Sequence, residues 1–329
     1  MLDINNPEWN DWQWQLKNAV GFQQILDIFS VHDFSGCSAV DSLFPVKISP
    51  YYLELLKKEN GNGPLSRMAL PDTAELESGA CSSDPFEECS SAARCKGVKQ
   101  RFPDRVLIMT SICCAANCRH CTRKGLLGTA EVVRTDEELN TAVEYVKSNP
   151  SVREVLLSGG DPLTLDDNDI LCFVEAFVAL DQIDSVRIGT RTPVTLPMRI
   201  TPELAAGFGC SGKVWVNTQF NHVSEITQQT TEACRLLVEA GIPVSNQSVL
   251  LRGVNDSLKA MFDLCTALQR IRVRPYYVFM CDPIAGIDHF RVEKERALKI
   301  ESHLAEKVGG LAMPRFVEDI PGASRKMPI

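Results

Sequence analysis

From Arg105 onward the chain alternates short apolar, β-rich runs with stretches of helical periodicity. The runs are residues 105–110, 154–158, 185–190, 213–218, 243–250 and 275–280. The helical stretches are 136–148, 168–180, 228–240, 256–271 and 291–306. Such alternation implies right-handed βαβ units and a parallel sheet, because parallel neighbours need a crossover that a helix supplies. Six units are too few to close an eight-stranded barrel. The expected fold is therefore α/β: a partial (β/α)6 TIM-like barrel over residues 104–311, with its chemistry at the C-terminal strand ends. Residues 1–103 read as a helical and loop region. Trp9, Trp12, Trp14, Leu16, Val20, Phe22 and Ile25 make a helix-like opening, 48–56 a short helix and 72–98 a long loop. Residues 312–329 form a short C-terminal segment.

A net charge of −8 argues against nucleic acid or an anionic membrane as the main partner. No apolar run approaches the roughly 18 residues of a membrane span. The N-terminus lacks the basic and apolar regions of a signal peptide. Thirteen cysteines in such a chain point to the reducing cytoplasm. Cys37, Cys81, Cys89 and Cys95 fit no ligand spacing and are expected to be free thiols.

Directly after the first strand run stands Cys114-Ala-Ala-Asn-Cys118-Arg-His-Cys121. A zinc site would pair two C-x2-C knuckles or add spaced histidines, and neither follows. Iron–sulfur clusters are usually held by four thiolates. Three from one tight loop suit a [4Fe–4S] cluster with one iron left open. Cys113 would break the spacing and is expected to pack. The other constellations fall at the same rim. Ser158-Gly159-Gly160-Asp161 follows the second run, and its glycines let backbone approach a ligand closely. Arg191 follows the third. Asn246, Gln247 and Ser248 place amides and a hydroxyl in a buried-looking strand, where a ligand or internal bonds could satisfy them. Lys326 follows a glycine-containing turn, compatible with reaching into the barrel mouth.

The cysteine loop resembles the signature of radical S-adenosylmethionine (SAM) enzymes. With Arg101-Phe-Pro-Asp-Arg105, Leu157-Ser-Gly-Gly-Asp161, Arg187-Ile-Gly-Thr-Arg191, Asn246-Gln-Ser-Val-Leu-Leu-Arg252 and Cys281-Asp282, the chain resembles the lysine 2,3-aminomutase family over nearly its whole length. That resemblance implies an isomerase with three cofactors: the cluster on Cys114, Cys118 and Cys121, SAM, and pyridoxal 5′-phosphate. Ser158, Gly159, Gly160, Asp161, Arg191 and Gln247 would bind cofactor. Lys326 would engage the pyridoxal aldehyde, and Arg101 and Arg105 its phosphate. Arg123 would take the substrate carboxylate, and Asp282 and Asp319 a distal ammonium. Pyridoxal phosphate makes the α-amine an imine, to whose nitrogen a radical at Cβ can add. Two carboxylates would repel a glutamate side chain, so L-lysine leads, with arginine and ornithine behind it. A flavodoxin or ferredoxin would donate the electron.

The sequence departs from the family in places. Arg325 adds bulk and charge beside Lys326. Phe102 and Phe279 replace tyrosines, and Ser257 replaces a cysteine that helps bind structural zinc. With the chain stopping three residues after Lys326, no structural zinc and a weaker or different oligomer are expected. A short C-terminus also resembles the branch that makes β-lysine for elongation factor P.

Overall fold

A computed structural model describes residues 6–77, 82, 84, 86, 95–126 and 132–329. Among the described residues five short helices come first: α1 Trp12–Lys17, α2 Phe22–Ile28, α3 Cys37–Leu43, α4 Pro50–Lys58 and α5 Pro64–Ala69. Strand and helix then alternate: β1 Val98–Phe102, β2 Arg105–Ser111, α6 Asp136–Lys147, β3 Glu154–Gly159, α7 Asp167–Val178 and β4 Ser185–Gly189. Next come α8 Thr192–Thr195, α9 Pro202–Gly209, β5 Val214–Thr218, α10 Gln228–Glu239, β6 Val244–Leu250, α11 Leu258–Arg270 and β7 Arg274–Met280. The chain ends with α12 Lys294–Lys307, β8 Arg315–Glu318 and β9 Met327–Pro328.

The sheet runs in strict chain order from β1 to β9 without closing. β2 to β8 are parallel neighbours, and β1 and β9 cap the two edges antiparallel. The six expected βα units are present, and a seventh parallel strand, β8, follows them. Each strand has two faces because side chains alternate. Val155, Leu157, Val186, Ile188, Val214 and Val216 point outward and are fully or almost fully buried under the helices. Leu156, Arg187, Asn217, Gln247 and Phe279 point inward and line a cavity. One face thus supplies the core and the other the chemistry.

The helices start where the sequence can satisfy their free N–H groups. Thr135 and Glu138 form a capping box on α6, and Ser257 caps α11 through Ala260 N. Ser257, which departs from the family's zinc cysteine, therefore acts here as a helix cap. The tryptophan-rich opening is two helices rather than one. It breaks at Val20, whose backbone bridges to Ile48.

The described part of the expected long loop over 72–98 contains a 3-10 turn, Thr73–Leu76, and β1 begins at the loop's end. Most of the rest lies outside the described residues, as do Cys81 and Cys89. The turn places a buried carboxylate, Glu75, against two cations. Arg119 is fully buried and donates to both Glu75 oxygens, with Nη2 at 2.6 Å from Oε2. Lys124 Nζ also contacts Glu75 and donates to Gly286 O at 2.9 Å. Both cations belong to the segment that carries the cysteines, so Glu75 fastens that segment to the N-terminal region. Glu75→Ala would leave a buried guanidinium and an ammonium without their counter-charge, at a cost of about 3–5 kcal/mol. Chemical denaturation should show that loss, and a midpoint within error of wild type would refute the anchor.

Candidate active site

The cysteine loop leaves β2 and is pinned from outside by the N-terminal helices. Asn117 N donates to Lys47 O and Arg119 N to Met68 O, each at 2.8 Å, and Ala116 bridges Ile48. Cys114, Cys118 and Cys121 are half-buried and line the cavity. Cys113 is exposed, not packed as expected, because the next residue turns inward. Its backbone acts instead: its carbonyl accepts from Asp161 N at 2.7 Å. Burial pushes the Cys114 thiol well up and the Cys121 thiol to about 11. Thiolates there need a bound cation to compensate them, as metal coordination does. Among the described residues no three His, Cys, Asp or Glu side chains converge on one metal ion. A cluster does not need that convergence, since each thiolate holds its own iron.

The glycine turn after β3 serves packing first. A Cβ on Gly159 would lie 2.3 Å from Ser111 O, and one on Gly160 2.4 Å from Cys113 O. The turn is therefore seated on the root of the cysteine loop, with Gly160 N donating to Ser111 O at 2.6 Å. Asp161, buried, accepts from Thr190 Oγ1 at 2.6 Å and from Arg191 N at 2.7 Å. Burial pushes its pKa up, against the hydrogen bond from Thr190. Arg123 Nη1 reaches Ser158 Oγ at 3.4 Å and Gly159 O at 3.3 Å. Cysteine loop, glycine turn and Arg191 turn thus share one hydrogen-bonded rim.

Arg191 Nη1 donates to Cys118 Sγ at 2.8 Å, and its Nη2 pairs with Glu225. Tyr52 OH also donates to Glu225, at 2.9 Å. The sequence reading missed Glu225, Tyr52 and His120. Glu225 ends the 3-10 turn Val223–Glu225 after β5, and nothing in the sequence ties it to Arg191. His120 is buried and kept neutral by burial. Asn221 Oδ1 accepts from Val249 N, so its amide nitrogen donates to His120 Nε2 at 3.2 Å. The ring hydrogen therefore sits on Nδ1, which has no partner. Gln247 Nε2 and Thr218 Oγ1 are likewise buried without partners, and all three residues line the cavity. Asn246 and Ser248 instead satisfy one another and Phe220 O.

The cavity measures ≈ 1500 Å³, above the roughly 300–1,000 Å³ of a pocket for one small ligand. Every residue to which the family resemblance gives a role lines it, from Cys114 to Lys326. Lys326 sits over the Phe279 ring at 4.1 Å, with Asp319 Oδ2 at 4.0 Å. Burial lowers its pKa to about 8; Arg187 and Arg105 push it down further, and Asp319 and Asp282 oppose them. Arg101 Nη1 lies 2.8 Å from Asp319 Oδ1, off the direction of a hydrogen bond, and its Nη2 donates to Ile320 O at 2.6 Å. Arg105 lies over the Phe102 ring at 4.5 Å.

Three outcomes follow from this geometry. Gly160→Ala should unseat the cysteine loop and lower iron uptake in anaerobic reconstitution; full uptake would refute the packing role. Amine acylation of Lys326, read by mass spectrometry, should titrate near pH 8. Asp319→Asn should lower that midpoint, because the carboxylate favours the ammonium, and a midpoint near the ordinary lysine value of about 10.4 would contradict the site.

Comparison with known proteins agrees with this architecture. Residues 108–265 match the Radical SAM superfamily. L-lysine 2,3-aminomutase of Clostridium subterminale is 39% identical over 99% of this chain and 79% of the relative. Glutamate 2,3-aminomutase of Clostridioides difficile is 34% identical over 100% of this chain and 78% of the relative. A radical SAM methyltransferase from Sphaerobacter thermophilus, at 15% identity, shares the fold with a TM-score of 0.50, over 69% of this chain and 70% of that one. No helix among the described residues is long and apolar enough to cross a membrane. The chain belongs to the lysine 2,3-aminomutase family of the Radical SAM superfamily, and is an isomerase that uses a [4Fe–4S] cluster and SAM.

Proposed function

We propose that this enzyme moves the α-amino group of L-lysine to Cβ, giving β-lysine, with pyridoxal 5′-phosphate as a further cofactor. One observation carries the reading: a single cavity is lined by the thiols of Cys114, Cys118 and Cys121, a lysine of lowered pKa, Arg123 beside the thiols, and the carboxylates of Asp282 and Asp319. The thiols of Cys114, Cys118 and Cys121 hold the cluster. The unpartnered polar atoms of His120, Thr218 and Gln247 suit a polar ligand such as SAM. When bound, the cluster and SAM supply a hydrogen-abstracting carbon radical, and pyridoxal phosphate supplies conjugation to the migrating nitrogen.

The protein's own residues orient and shield. Lys326, close to half unprotonated near pH 8, offers a nucleophilic amine at near-neutral pH. Phe279 covers it on one side. Arg123, tied to the glycine turn, lies two residues past the last cluster cysteine and receives the substrate carboxylate. Asp282 and Asp319 receive a distal ammonium. Asp319 already contacts Arg101, so a phosphate drawn to Arg101 would release that carboxylate to the substrate. A reduced flavodoxin or ferredoxin supplies the electron.

The glutamate-acting relative names the main rival substrate. Two carboxylates beside Lys326 oppose it, since a third carboxylate brought among them would be repelled. Incubation under anaerobic reduction with both cofactors should convert L-lysine to β-lysine, and Lys326→Ala should abolish the conversion. Turnover of L-glutamate with no product from L-lysine would overturn the substrate assignment. Turnover of arginine or ornithine alone would narrow the proposal to another cationic amino acid. β-Lysine formation for elongation factor P would leave the chemistry unchanged.

A further inference from the structure

Arg187 stands in the middle of β4, on the face of the sheet that looks into the barrel. Its neighbours in sequence, Val186 and Ile188, are buried on the opposite face under the helices. Its register partners are Leu156 on β3 and Trp215 on β5, both apolar. An arginine placed there loses most of its water, and its side chain is 17% exposed. Such burial is costly unless the charge is matched and its donors are used. Glu154, at the start of β3, matches the charge, with Oε1 at 2.6 Å from Nη2. The match is incomplete in hydrogen bonds, because Nε is buried and has no partner. The guanidinium lines the same cavity as Lys326, Arg101 and Arg105. A planar fork held by a carboxylate on one side, with a donor left over, is suited to an oxyanion.

We propose that Arg187, positioned by Glu154, is a further anion-binding residue of the cofactor site, and that it donates to an anionic oxygen of the phosphorylated aldehyde that Lys326 engages. This rests on the pyridoxal phosphate reading above. The surroundings of Lys326 fit it. Facing its ammonium are Asp319 beyond β8, Asp282 beyond β7, Arg105 on β2, Arg187 on β4 and the ring of Tyr277 on β7. Arg187 and Arg105 both disfavour the protonated amine, and a bound oxyanion would be attracted to both guanidinium groups. Neither residue needs to move between strands to do so, because the sheet holds them.

The anionic oxygen could belong to the cofactor's phosphate or to its ring, and three ligands separate the two. Absorbance titration of the metal-reconstituted protein with pyridoxal phosphate, with pyridoxal, and with pyridoxal phosphate against inorganic phosphate reads each contribution. The double substitution Arg187→Met with Glu154→Gln removes both charges together, so no buried ion is stranded. It should weaken pyridoxal phosphate about tenfold or more, the scale of a lost charged hydrogen bond. A matching loss of phosphate competition assigns the contact to the phosphate. A matching loss for pyridoxal, with phosphate competition intact, assigns it to the ring oxygen. Arg187→Lys should recover part of the affinity by keeping the charge. Unchanged affinity for all three ligands in a variant with wild-type melting would overturn the inference. Failure of the wild-type protein itself to take up pyridoxal phosphate would overturn the function reading instead, which keeps the two failures distinct.

Discussion

The buried carboxylate of Asp161 joins the three turns on which the site depends. Its side chain holds Thr190 and the backbone of Arg191, and its own N–H is held by Cys113. A carboxylate so far from water is tolerated because several donors converge on it. The consequence reaches beyond stability. The cysteine loop after β2, the glycine turn after β3 and the arginine turn after β4 cannot shift independently. Arg191 then carries the constraint back to Cys118 and outward to Glu225. A cluster that must present one open iron in a fixed direction needs this kind of support, since each thiolate is placed by backbone rather than by the metal alone.

The N-terminal region completes the support from the other side. Glu75 joins Arg119 and Lys124, and the carbonyls of Lys47 and Met68 receive the loop's N–H groups. The fold thus spends a buried ion triad and a set of short helices on one eight-residue loop. The partial barrel makes this possible. An open sheet leaves an interior that side chains do not fill, so a cavity of ≈ 1500 Å³ remains, and a closed eight-stranded barrel would instead be packed.

Inside the cavity, charge is arranged in two zones. Near the cysteines lie the Arg191–Glu225 ion pair, the hydrogen-bonded carboxylate of Asp161 and the neutral His120. Near Lys326 lie Arg101, Arg105 and Arg187 with Asp282 and Asp319, and Glu154 pairs with Arg187 from outside the lining. Burial is the largest influence on Lys326 and lowers its pKa, while Asp319 and Asp282 oppose it. One carboxylate, Asp319, touches both an arginine expected to bind phosphate and the lysine expected to bind aldehyde.

Much of this was readable before the structure. Alternating periodicities of two and about 3.6 residues specify strands and helices locally. Their order therefore placed the cysteine loop, the glycine turn and the Arg191 turn at one rim, and Cys114, Cys118 and Cys121 announced their chemistry by spacing alone. Other features were invisible. The glycines of Gly159-Gly160 look like a ligand cradle, yet they answer a backbone contact with Ser111 and Cys113. Glu75 lay in an aperiodic stretch that read as loop. Glu225 gave no sign that it would hold Arg191, and Arg187 read as one residue of a matching stretch. By itself the sequence determined the elements, their order and the identity of the reactive groups, because those depend on neighbours along the chain. The tertiary structure alone decided which charges meet, which thiols are buried and which donors are left over, because those depend on distances between strands far apart in sequence.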